Sequence, residues 1–186
     1  MLRAHFSGLR PRRSPVARVG EECERCLQCI QSCRSRDTVC LYKRFEGLRK
    51  RKGEGIFQGV PVHAVFCQAQ LHMTEIFAPA AVDRVYINFP DPWFKRRHHD
   101  RRMVDAALAD GIARVGRPGG EVFVQSDVWD IALDAMATFE RDERFANLAG
   151  EWTFWRGGNP YGVRSWREQN AEETGLAIWR LLYRRA

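Results

Sequence analysis

Nowhere in this 186-residue chain does an apolar run approach the roughly 20 residues that a membrane-crossing helix needs. A spanning protein is therefore not expected. The chain has no Gly-x-Gly-x-x-Gly fingerprint and no phosphate-loop signature. Gly53-x-Gly55 and Gly59 follow no apolar strand, so they fail the context that a nucleotide-binding loop requires. The start, MLRAHFSGLRPRRSPVARVG, lacks an apolar core, which rules against a secretory signal. There is no internal repeat. Acidic residues are scarce at the front: residues 1–60 hold 14 Lys and Arg against 6 Asp and Glu, and the remainder holds 16 against 17. The net charge of +7 thus belongs to the first third. Any case for a polyanionic partner elsewhere must rest on local clusters.

Residues 1–66 also lack a sustained apolar period, so they read as a basic, Cys-rich segment without a consistent fold signal. Cys23, Cys26, Cys29 and Cys33 stand at C-x2-C-x2-C-x3-C, the spacing of thiolates that hold an iron–sulfur cluster. Arg34 follows where such runs carry proline, and the surrounding residues are charged. An iron–sulfur protein is accordingly kept as an alternative, beside reduced thiols on a basic arm. Arg49-Lys50-Arg51-Lys52 reads as a solvated charge run.

From about Val60 the pattern becomes regular. Val60–Phe66 predicts a short strand, Leu71–Phe77 one or two helical turns, and Val82–Phe89 an apolar strand. A helix is expected over Arg102–Val115, where Val104, Leu108, Ile112 and Val115 share one face. Gly116-Arg117-Pro118-Gly119-Gly120 reads as a breaker. Glu121–Gln125 predicts a second buried strand, and Ser126-Asp127 an N-cap for a helix with Ile131, Ala132, Ala135, Met136 and Phe139 on one face. Trp152–Trp155 is a candidate strand and Ser165–Thr174 a polar helix. Leu176–Arg184 reads as a closing strand at the sheet edge, antiparallel to its neighbour. Strand, helix, strand, helix in this order argues for an α/β fold with crossover helices.

The densest chemistry sits at the end of the Val82–Phe89 strand. Pro90-Asp91-Pro92 breaks the ladder, Trp93 follows, and then comes a basic cluster from Lys95 to Arg102. In open α/β sheets ligands bind outside the carboxyl ends of the strands, so this stretch places an acid, an aromatic and cations at the expected position. Taken alone, Asp91 is equally a turn former. Trp93 reads as packing before base stacking, Asp127 as a helix cap, and Glu168 as a solvated helix residue. His98 and His99 have no metal-ligand partner at suitable spacing, so no metal site is expected among these residues.

NFPDPWFKRRH (Asn88–His98), RPGGEVFVQSD (Arg117–Asp127), RSWREQNAEETG (Arg164–Gly175) and IWRLLYRR (Ile178–Arg185) together resemble the bacterial tRNA (guanine-N7)-methyltransferase family, over about residues 71–186. That family methylates the guanosine of the tRNA variable loop (position 46), using S-adenosylmethionine. The resemblance implies a Rossmann-like sheet with an antiparallel last strand, formed by residues 67–186. It also implies a cytoplasmic enzyme with tRNA as its partner, and suggests neither a membrane nor a protein partner. Asp91 is implied as the catalytic acid beside the cofactor, and Asn88 and Gln68 as cofactor contacts. Lys95, Asp127 and the Ser165-Trp166-Arg167-Glu168 tetrad are implied as substrate contacts. Ser126 and Ser165 stand where the family has threonine, which keeps the hydroxyl.

The front departs from the family. Neither its Gly-rich loop nor its strand-ending acid is found in residues 1–66, and Gln68-Ala69 stands where the family has Asp-Ala. The expectation is thus a methyltransferase fold whose N-terminal half is missing or degraded, with the family-like reading entered only near Leu71, and a non-catalytic tRNA-binding remnant is kept as a second alternative.

Overall fold

Eight strands share one sheet in the computed structural model of this chain, which describes residues 28–32, 38–42, 54–57, 60–66, 69–162 and 164–186. The strands are β1 (Gln28–Ser32), β2 (Thr38–Tyr42), β3 (Glu54–Phe57), β4 (Val60–Phe66), β5 (Val82–Asn88), β6 (Gly116–Ser126), β7 (Phe145–Asn147) and β8 (Trp179–Arg185). Their spatial order is β3-β4-β2-β1-β5-β6-β8-β7. The helices are α1 (Ala69–Ile76), α2 (Ala106–Val115), α3 (Trp129–Glu140) and α4 (Trp166–Glu173), and a 3₁₀ turn covers Arg96–Arg101. Among the described residues no helix is long and apolar enough to cross a membrane.

The expected α/β class holds. β5 and β6 run parallel with α2 between them, and the last strand, β8, is antiparallel to β6. Alternation sorts the side chains of this half-sheet into two faces. Val85, Ile87, Val122, Val124, Leu181 and Tyr183 join the main core with α2 and α3. On α2 the buried residues Leu108, Ala109, Ile112, Ala113 and Val115 recur at helical spacing, and Ile131, Ala135 and Phe139 do the same on α3. Phe139 stacks on Tyr183 at 5.1 Å and meets Phe145 edge-on at 5.0 Å, which locks α3 to β7 and β8.

The opposite face carries three cross-strand rungs. They are Asn88–Gln125–Arg180, Tyr86–Phe123–Leu182 and Arg84–Glu121–Arg184. Helix α4 covers this face through buried Glu168 and Ala171. Tyr161 also lies on it: its ring meets Tyr86 and Phe123, Arg84 sits 4.1 Å over it, and its hydroxyl donates to Glu121 Oε2 at 3.1 Å. Burial, with the Glu121 carboxylate close by, holds the Tyr161 phenol protonated well above its ordinary range.

Several boundaries differ from the sequence expectation. β6 runs straight through the Gly116-Arg117-Pro118-Gly119-Gly120 breaker instead of starting after it. Gly119 takes φ +77°, and a Cβ on Gly120 would lie 3.0 Å from the Asp83 carbonyl, so glycine lets the strand re-enter pairing beside β5. α2 starts at Ala106 because Asp105 caps it, accepting from the Leu108 amide at 2.8 Å, while Arg102 stays extended. Trp152–Trp155 is irregular, and the edge strand is β7 at Phe145–Asn147. β8 therefore lies inside the sheet, between β6 and β7. β4 matches the short strand expected over Val60–Phe66, whereas β1, β2 and β3 lie in the segment read as having no consistent fold signal. The strand beside β5, β1, is antiparallel to it.

Candidate functional site

The rim at the carboxyl ends of β5 and β6 gathers most of the residues singled out by sequence. At the end of β5, Phe89 takes φ +48° while its amide still donates to the Gln125 carbonyl at 2.8 Å. Four residues on, Trp93 takes φ +43°. Bulky side chains rarely adopt this left-handed region, and each instance costs on the order of 1–3 kcal/mol. The segment between them holds buried Pro90 and exposed Asp91, whose Oδ1 accepts from the Trp93 amide at 3.2 Å. Two strained residues thus flank a turn that presents one carboxylate outward.

The turn is braced from outside. Arg102 Nε donates to the Pro92 carbonyl at 3.1 Å, and the same guanidinium pairs with Asp134 on α3. Arg101 lies 5.3 Å over the Trp93 ring, and His98 meets that ring edge-on at 5.7 Å. Trp93 is half-buried and already engaged by two neighbours, which favours its packing role. Lys95 is exposed at the start of the 3₁₀ turn.

Behind the turn lies a polar network. Glu168 on α4 is fully buried. Its Oε2 accepts from Gln125 Nε2 and Asn159 Nδ2, each at 3.0 Å, and its Oε1 accepts from Arg180 Nη2 at 2.9 Å. Gln125 Nε2 also donates to Asn88 Oδ1 at 3.0 Å. Taken alone, Glu168 reads as a solvated helix residue, and its full burial corrects that reading. The structure uses it to tie α4, β6 and β8 to the end of β5, and the nearly buried Arg180 is shared between its carboxylate and that of Glu172, 3.0 Å away.

The remaining sites divide. Ser165 is the N-cap of α4, accepting from the Glu168 amide at 3.2 Å. Trp166 and Arg167 are exposed, and Arg167 pairs with Asp127 across from the end of β6. Ser126 Oγ accepts from the Val128 amide, so the hydroxyl closes the turn into α3, while Asp127 is left for the ion pair. Gln68 lies outside the described residues, as do Cys23, Cys26 and Cys33. Cys29 belongs to β1, opposite Cys40 of β2. Among the described residues no group of three or more His, Cys, Asp or Glu side chains could hold a metal ion. Sequence reasoning missed Gln125, Asn159 and Arg180. Only the inward phase of Gln125 on an otherwise apolar strand signalled a partner.

A family model described as "Putative methyltransferase" matches residues 56–181. The chain belongs to this methyltransferase family. Its match begins upstream of Leu71, so it takes in β4 and α1 as well as the rim. A tRNA (guanine-N(7)-)-methyltransferase of Synechococcus sp. (strain WH7803) is 41% identical over 127 residues, which is 67% of this chain and 54% of that protein. The one from Synechococcus sp. (strain JA-3-3Ab) is 38% identical over 122 residues, 64% of this chain and 49% of its own length. A third, from Thermosynechococcus vestitus, is 35% identical over 67% of this chain and 57% of its own length. The chain spans about half the length of these curated relatives. Neither the methyltransferase family nor the relatives' names support the iron–sulfur alternative.

Proposed function

We propose that this chain carries the substrate-side machinery of an S-adenosylmethionine-dependent tRNA (guanine-N7)-methyltransferase, working in the cytoplasm on the variable-loop guanosine. The observation that carries the reading is the exposed Asp91 carboxylate, held between two left-handed aromatic residues at the end of β5 with Lys95 four residues on.

The donor set at this rim suits one side of the cofactor. Asn88 has its amide oxygen committed to Gln125, which leaves its Nδ2 as a donor, and Asp91 keeps an exposed carboxylate beside it. A cationic sulfonium with amino and hydroxyl groups calls for such partners. Asp91 and Asn88 would hold it from the β5 side, and Gln68 is proposed to join them. When bound, the cofactor supplies an electrophilic methyl group, whose bonding pair stays on sulfur as the carbon passes to N7.

Guanine N7 carries a free lone pair, so no strong base is needed, and the protein's task is alignment. The purine becomes cationic as the new bond forms. The Asp91 carboxylate stabilises that charge and can accept from the amino edge of the base. Lys95 holds backbone phosphate without reading sequence. Arg167, paired with Asp127, and Trp166 extend the same surface along α4. Glu168 works from beneath as a positioning residue.

Incubation of the chain with unmodified tRNA and methyl-labelled S-adenosylmethionine tests this. The expected result is labelled 7-methylguanosine in the variable loop, formed on the order of 10²-fold more slowly by Asp91→Asn. Absence of Asp91-dependent transfer overturns the enzymatic reading. Salt-sensitive tRNA binding without transfer would leave an RNA-binding chain.

A further inference from the structure

The same rim carries a second feature, away from the Asp91 turn. Trp129 at the start of α3, Phe154, and Trp179 at the start of β8 form a triangle, with ring centroids 4.3 Å apart for the two tryptophans and 5.3 Å from each to Phe154. Beside it opens a cavity of about 470 Å³, lined by Trp152, Phe154, Trp155, Arg156, Trp179 and Arg180 among others. No acid lines it. Trp152 is 57% exposed and Trp129 45%. Trp152 also takes φ +54°, a conformation that costs a bulky side chain free energy and recurs at ligand clamps. Arg156 is exposed and makes no ion pair among the described residues.

These tryptophans are not explained by the core. A core aromatic is covered, as Phe139 and Tyr183 are in this protein. Phe154 packs against the core and Trp155 and Trp179 are half-buried, but Trp152 and Trp129 leave exposed rings beside them, and exposed aromatic surface of this kind marks a contact surface. A free arginine and the absence of carboxylates select an anionic occupant, and flat faces beside a cation suit a base and its phosphate. Position agrees. Trp179 pairs with Ser126 at the end of β6, and β6 adjoins β5, so the pocket lies two strands from the Asp91 turn on one rim. At the usual strand spacing that is roughly 10 Å.

We propose that this aromatic pocket takes an unpaired nucleobase of the RNA substrate, next to the modified guanosine, with Arg156 on its phosphate. The proposal rests on the reading of the Asp91 rim as a tRNA-modifying site.

Its test is equilibrium binding of unmodified tRNA, of a short single-stranded RNA, and of the same RNA as a duplex. The proteins compared are the unaltered chain, Trp152→Ala, Trp152→Phe, Arg156→Ala and Lys95→Ala. Trp152→Ala should weaken tRNA and single-strand binding about tenfold while Trp152→Phe retains most of it, because stacking needs a ring of either kind. Arg156→Ala should lower the salt slope of binding by about one. Duplex binding should not change with Trp152, since paired bases cannot enter the pocket. A Trp152→Ala chain that binds tRNA like the unaltered protein, while Lys95→Ala weakens it, overturns the pocket and leaves the Asp91 site standing. No tRNA binding by the unaltered chain overturns both. A concentration-dependent dimer lost in Trp152→Ala, with RNA binding intact, assigns the pocket to a second copy and also overturns it.

Discussion

Gln125 gives both protons of its side-chain amide to oxygens 3.0 Å away, one on Glu168 and one on Asn88. A carboxylate only accepts, so Glu168 dictates which end of the Gln125 amide faces it. Gln125 in turn dictates that Asn88 gives its oxygen to this pair, which leaves Nδ2 as its remaining side-chain donor. The polarity of a rim residue is thus set by an acid that is fully buried on another element. The unpartnered Gln125 Oε1 is consistent with this order of command, because reversing the amide would turn that oxygen on the carboxylate.

Glu168→Gln leaves Arg180 paired with Glu172 alone, so folding stability is expected to fall by about 2 kcal/mol, less than the roughly 3–5 kcal/mol of a fully unmatched buried ion. Urea unfolding measures it. Replacing Arg180 by Met in the same chain should restore part of it, since the cation that has lost one of its two carboxylates is then gone.

Asp91→Asn retains the oxygen that accepts from the Trp93 amide, so the turn should persist. What it loses is charge at the transition state. Methyl transfer at saturating tRNA should fall on the order of 10²-fold with tRNA affinity nearly unchanged. A matching loss of affinity would instead make Asp91 a ground-state binding residue.

Lys95 and Arg102 should separate cleanly. Lys95→Ala is expected to weaken all tRNA binding alike and to reduce its salt slope by about one, because it meets phosphate as a point charge. Arg102→Ala removes the brace on Pro92 and the pair with Asp134. It should lower the transfer rate more than the affinity, and rapid-quench single turnovers distinguish the two.

Stability should decline in alkali. Burial, reinforced by the neighbouring Glu140 carboxylate, raises the Tyr183 phenol above its ordinary value of 10.0. The folded chain then keeps a proton that the unfolded chain releases above that value. The contribution is therefore complete below about pH 10 and is lost as pH rises further. Tyr183→Phe keeps the stack on Phe139 and should flatten the fall in urea midpoint between pH 10 and pH 11.5.

The sheet centre was legible because period-two and period-3.6 patterns there meet no competing demand. The β5 and β6 strands and the apolar faces of α2 and α3 all followed from spacing alone. The breaker before β6 misled because glycine and proline end most strands, whereas here they serve a bulge pressed against β5. The aromatic run at Trp152–Trp155 imitates a strand because aromatic and β-branched residues favour strands, while here its backbone turns. At the site, Asp91 and Lys95 were visible as a local string. Glu168 was misread because α4 is polar on nearly every side, so nothing in its periodicity marks the one acid that faces inward. Its partners lie 43 and 12 residues away, and only the fold reveals them.

β6 lies between β5 and β8 in space, yet β8 is the last of the three to be synthesised. While the chain grows, the Val122-Phe123-Val124 edge stays open to any other strand, and Gln125 waits without Glu168 and Arg180. The rim is therefore complete only once β8 has paired. A chain cut before Trp179 would leave a sticky edge and an undirected Asn88, so one antiparallel pairing decides both the solubility of this sheet and the order of its rim.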